Sequence, residues 1–349
     1  MGGARMRLPR ISEFQEQFPS LESYWRSVIL FGRNTSTYKF ALARALEDLT
    51  RNEKTEATLD EIAVPFSHHM CEHLLEAPKQ TTGRPGKFIE TCSSFNLGTI
   101  DEQTLIDTAV SDGFSYVLRA FHNVNGAELP LKFFEVSGSG RGRRITMNDN
   151  LFRTLEVAPS VGDEAEARWK LVESAWEMGV STALISVSYD GETETLLRST
   201  KEAARRKSLV SARAALNGYQ KGQCFYCYDT IALDGEKGCD VDHFFPHVLA
   251  PVLPEANIDG VWNLVLACKE CNRGEKGKFA RVPDVRYLER LCKRNEFLIS
   301  SHHPLREAIM AQTGATEKQR RSFLSHIDRK AVSTLIHRWK APERGAATF

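Results

Sequence analysis

Residues 224–278 carry side chains whose types and spacing could do chemistry. Two CxxC pairs, Cys224/Cys227 and Cys268/Cys271, offer four soft thiolates, the ligand set of a structural zinc ion (Zn2+). Between them lies Asp242-His243, in the run CDVDHFFPH. A carboxylate suits a hard divalent cation such as magnesium or manganese (Mg2+ or Mn2+). A neutral imidazole beside it can take a proton from water near pH 7. Asn272 directly follows Cys271, and its amide oxygen can complete a magnesium shell. Lys276 lies four residues further on the same helical face, where it can touch phosphate. Asn263, just before LVLAC, is placed to hydrogen-bond the backbone or the imidazole and fix the base. Hydrolysis of a phosphodiester needs these parts: a metal at the phosphate, a base for the water and a cation near the developing charge.

Elements must hold these side chains together. CDVDH reads as a short strand ended by Pro246. Successive side chains of a regular strand point to opposite faces. Asp242 and His243 can therefore serve one site only if the strand twists, bulges or ends there. Asp240 shares the face of Asp242 and is an alternative ligand. The zinc ties the first strand region to a later helix start and staples a module too small to bury much core.

DVDH, Asn263 and CKECN with a downstream lysine resemble the HNH endonuclease family, in its variant with Asn in the third position. The flanking CxxC pairs are similar to those of zinc-stapled, McrA-like restriction nucleases. The Asp-His and Asn-Asn assignment is similar to that of the HNH domain of CRISPR effector nucleases. The resemblance implies a ββα-metal finger, with a hairpin bearing Asp242-His243, a loop bearing Asn263 and a helix bearing Asn272. It implies metal-dependent cleavage of DNA. Asp242 and Asn272 would hold the catalytic magnesium or manganese, His243 would be the general base, and Asn263 would position it. One such site nicks one strand of a DNA duplex. A broader similarity to phage-defence HNH proteins with helical N-terminal regions implies anti-phage defence or restriction, with other proteins of a defence operon as partners. Two rival functions share these residues. An RNA-cleaving HNH enzyme would use the same metal and base, which act on phosphate and are blind to the sugar. A non-catalytic zinc-ribbon nucleic-acid-binding protein would need only the cysteines, so the full set of Asp242, His243, Asn263 and Asn272 argues against it.

The expected fold is α+β. A mostly helical region 1–210 with a small β-hairpin precedes the HNH module, 211–284, and a helical C-terminal extension, 285–349. Leu21, Tyr24 and Val28 repeat at helical spacing, Thr58-x-x-Glu61 opens a helix, and LKFFEVSG with RRITMND reads as the hairpin. Asn217-Gly218 marks the boundary to the module. Net charge is +1, from 46 basic and 45 acidic residues, so any nucleic-acid surface must come from local clustering. Arg273 beside Asn272, and Arg205 and Arg206 just before the module, are the candidate contacts, each equally readable as solvated surface. The Gly-rich loop 138–144 lacks the spacing of a P-loop and reads as a basic hairpin loop. His69 and His73 have metal-ligand spacing, but Met70 stands where HExxH needs its Glu. Cys71, Cys92, Cys239 and Cys292 read as buried hydrophobes. The N-terminus lacks a signal-peptide pattern and no apolar run reaches bilayer length. The expectation is a cytoplasmic chain with reduced thiols and no membrane partner.

Overall fold

The computed structural model describes residues 20–31, 35–124, 126–177, 185–200, 203–233, 238–301 and 306–347; the side chains of 175, 177, 185–188, 198–200 and 203–211 lie outside the description. The fold is α+β. Among the described residues helices predominate, with sheets of two or three strands, all antiparallel except Val282–Pro283 beside Arg338–Trp339. Among the described residues no helix is long and apolar enough to cross a membrane. The chain divides into two compact units, Ser20–Gly179 and one taking in Val180–Phe349. The division comes earlier than the expected one near 210, and residues 285–349 share a unit with the cysteine module.

In the first unit, the helix Leu59–Glu76 begins as its sequence dictates. The Glu61 amide donates to Thr58 Oγ1 at 3.2 Å and the Thr58 amide to Glu61 Oε2 at 2.8 Å, satisfying two donors that helix starts leave orphaned. Phe66 on this helix packs against Phe88 and Phe114, with ring centroids 5.2 and 4.7 Å apart, and anchors the core. The expected hairpin forms from Phe134–Ser137 and Arg144–Met147. It gains a third strand, Glu56–Thr58, too short to show a period in the sequence. Arg141 in the hairpin loop pairs with Asp107, and Arg144 pairs with Glu56.

His69 and His73 do not share a ligand. His69 Nε2 lies 2.6 Å from Asp48 Oδ2, while His73 is buried between Glu173, at 2.6 Å, and Glu166, at 3.2 Å. The His73 ring stacks 3.5 Å from Trp169. Burial alone would lower its pKa; Glu166 and Glu173 outweigh burial and raise it to about 9.

The second unit opens with an antiparallel meander, Ile185–Asp190, Thr195–Thr200 and Ala203–Ser211. The basic stretch that contains Arg205 and Arg206 therefore lies in a strand, and its side chains fall outside the described ones. The helix Ala212–Gln220 then runs through Asn217-Gly218, correcting the boundary expected there. Both residues are buried in its packed face, so burial overrides their turn preference. The Gln220 side-chain amide completes this packing like an extra strand. Its nitrogen donates to the Leu266 carbonyl at 2.9 Å and its oxygen accepts from the Leu266 amide at 2.8 Å. After the cysteine module come the helices Val285–Ser300, Arg306–Thr313 and Glu317–Thr334.

Candidate functional site

The strand Cys239–His243 pairs antiparallel with Leu264–Cys268, and the short helix Lys269–Arg273 follows directly. The order is strand, strand, helix. Cys224, Cys227, Cys268 and Cys271 place their sulfurs within 4.8 Å of one another. Cys227 Sγ and Cys268 Sγ are 3.8 Å apart. A tetrahedron with zinc–sulfur bonds of about 2.3 Å has edges of about 3.8 Å, so the four cysteines fit a structural metal ion such as zinc. The Cys268 amide donates to Cys224 Sγ and the Cys271 amide to Cys268 Sγ, each at 3.4 Å. Such bonds support thiolate character. Arg290, from Val285–Ser300, holds the first knuckle. It donates to the Phe225 and Tyr226 carbonyls and lies 3.8 Å over the Tyr228 ring.

His243 is the last residue of its strand, and its side chain has different partners from that of Asp242. Its Nε2 lies 3.0 Å from Asp259 Oδ1, and His247 Nε2 approaches the same oxygen at 3.6 Å. The Asp259 carbonyl accepts from the Tyr189 amide at 2.9 Å, so the meander braces this corner. Burial lowers the His243 pKa against the opposing pull of Asp259 and Asp242. The shift favours the neutral imidazole. Among the described residues, Nδ1 has no hydrogen-bond partner. Nothing in the spacing of its loop marks Asp259 in the sequence.

Asn263 takes the backbone role of the two open to it. Its Nδ2 donates to the carbonyls of Phe245, at 3.0 Å, and Ile258, at 2.9 Å, and its Oδ1 accepts from the Phe245 amide at 2.8 Å. It is fully buried and fixes the turn that leaves His243.

Asp242 and Asn272 do not converge as the expected magnesium pair. Asp242 is buried, with Tyr226 Oη donating to Oδ2 at 2.6 Å and Lys278 Nζ to Oδ1 at 2.9 Å. Asn272 Nδ2 instead donates to Asp240 Oδ2 at 3.0 Å, and Arg273 pairs with the same carboxylate. Asp242 and Asn272 therefore do not fit a shared divalent ion, because buried partners hold both oxygens of Asp242. The strand-mate Asp240 is the carboxylate that faces Asn272.

Lys276 is exposed, and the lysine that enters the site is Lys278. The intervening turn depends on glycine. A Cβ on Gly277 would sit 2.8 Å from the Gly274 nitrogen and 2.9 Å from its oxygen, too close for any side chain. The closed turn lets the Lys278 amide bond the Cys271 carbonyl at 2.7 Å and the Phe279 amide bond the Asn272 carbonyl at 2.9 Å.

Comparison with protein-family models, curated proteins and solved structures gave no match, so the HNH likeness rests on the motif residues themselves.

Proposed function

We propose that the unit taking in Val180–Phe349 is a metal-dependent endonuclease of the HNH type that nicks DNA. The carrying observation is the His243–Asp259 pair at the end of a hairpin with a four-cysteine knuckle. With Nε2–H donated to Asp259, the free lone pair of the neutral imidazole is on Nδ1. Nδ1 takes the proton of the attacking water, and Asp259 holds the tautomer and faces the imidazolium that forms. Asn263 keeps the turn beneath the ring fixed, so the base is already in place. Arg273 and Lys276, exposed on one short segment, hold phosphate. Magnesium or manganese belongs to the proposal as the hard cation, which supplies Lewis acidity at the phosphate. Its oxygen donors would be Asp240 and Asn272, whose other partner Arg273 is a surface side chain free to turn to phosphate.

The test is incubation of supercoiled plasmid with the full chain and magnesium, comparing wild type with His243→Ala. Wild type is expected to yield nicked circles, and the variant to be slower by about a hundredfold or more. A wild type that binds the plasmid and leaves it supercoiled defeats the enzyme reading in favour of a zinc-ribbon binder. Labelled RNA cut in preference to DNA would reassign the substrate.

A further inference from the structure

Asp242 occupies the place where the HNH likeness expects a ligand for a divalent ion, yet its surroundings are already complete. An ammonium has three N–H donors. Lys278 Nζ meets three oxygens: Asp242 Oδ1 at 2.9 Å, the His243 carbonyl at 2.9 Å and the Phe279 carbonyl at 3.3 Å. The lysine is fully buried. The other carboxylate oxygen accepts from the Tyr226 hydroxyl at 2.6 Å. We propose that Lys278 is the permanent counter-ion of Asp242, and that Asp242 is a positioning residue for His243 and not a ligand of a divalent cation.

Three physical points carry this. A divalent ion at Asp242 would either expel the ammonium from its oxygens or share a buried pocket with it, and like charges in low dielectric repel strongly. The backbone that carries the lysine is fixed in place. Lys278 hangs from the Cys271 carbonyl, Phe279 from the Asn272 carbonyl, and the Gly274–Gly277 contact leaves the turn no slack. The zinc knuckle thus delivers the lysine. The same ammonium also joins the Asp242 side chain to the main chain of His243, so the ion pair fixes the residue that bears the base. Asp240, two residues earlier, is held instead by Asn272 and the exposed Arg273. The two aspartates of one strand face do different work.

The role of His243 is taken from the nuclease reading; the counter-ion claim does not need it. The experiment is manganese titration of the zinc-loaded full chain, followed by electron paramagnetic resonance. Asp242→Asn is expected to change manganese affinity by no more than about twofold, and Lys278→Met to tighten it about tenfold by freeing Asp242. If either single variant loses its zinc, the neutral double variant Asp242→Asn/Lys278→Met, which buries no unpaired charge, decides. A loss of affinity of about tenfold or more on removing the Asp242 charge, with zinc retained, overturns the proposal. As a positioning residue, Asp242→Asn should lower kcat for nicking and leave KM for DNA unchanged; a raised KM with kcat intact would also overturn it. The titration is read without cleavage, so a wild type that fails to nick defeats the nuclease reading and leaves this inference to the manganese data.

Discussion

His243 Nε2 and Asp259 Oδ1 lie 3.0 Å apart although they are sixteen positions apart in the chain. The pair exists because two other contacts pin its ends. Asn263 fixes the turn after His243, and the Tyr189 amide holds the Asp259 carbonyl. Asp259→Asn replaces an acceptor by a group that can also donate and removes the charge opposite the imidazolium. Nicking should slow by about tenfold to a hundredfold, with zinc content and melting temperature unchanged. An unaltered rate would remove Asp259 from the site.

The four cysteines make a separate prediction. Cys271→Ser should reduce bound zinc from about one ion per chain to none, measured by elemental analysis, and the unit should lose its cooperative melt. Structural zinc contributes apparent binding energies of about 10–16 kcal/mol in small modules, more than this hairpin can replace. A variant that keeps its melt with no zinc bound would show that the hairpin core alone suffices.

Arg290 tests whether residues 285–349 are an extension or part of the fold. Its guanidinium bonds two knuckle carbonyls and covers the Tyr228 ring. Arg290→Ala should cost about 3 kcal/mol in urea unfolding, combining lost charged hydrogen bonds with a lost cation–π contact. Deletion of 285–349 should leave a chain that no longer binds zinc tightly. A truncated chain that melts like wild type would restore the picture of a separable tail.

Features encoded by near neighbours were legible in the sequence. The CxxC pairs, the Thr58–Glu61 capping box, the end of the strand at His243 and the two-stranded hairpin all follow from spacing within a few residues. What the sequence did not disclose depends on distant partners. Asp242 and Asp240 are alike in pattern, and only the approach of Lys278, Tyr226 and Asn272 tells them apart. The meander at 185–211 was hidden because its last strand is rich in Lys and Arg, which mark no face by hydrophobic alternation. Asn217-Gly218 carries turn chemistry, yet burial in the helix Ala212–Gln220 overrides it.

The buried His73 gives the first unit a pH dependence of definite sign. Its folded pKa is raised to about 9 from an ordinary 6.5, since Glu166 and Glu173 outweigh the cost of burial. A raised value means that stabilisation is complete below pH 6.5 and is lost as pH climbs through about 9. The shift corresponds to roughly 3 kcal/mol. Glu166 works in the opposite direction at acid pH. Burial opposes its charge, His73 prevails, and its pKa falls to about 2, so its contribution is lost only as pH drops from 4.5 towards that value. The unit should therefore be most stable between about pH 5 and 6.5 and weaken steadily towards pH 9.5. His73→Gln should lose roughly 3 kcal/mol at pH 6 and show no alkaline decline. Urea unfolding across this range, followed by the fluorescence of Trp169 stacked on the ring, measures both curves. A wild type equally stable at pH 6 and pH 9.5 would mean that His73 is neutral in the fold.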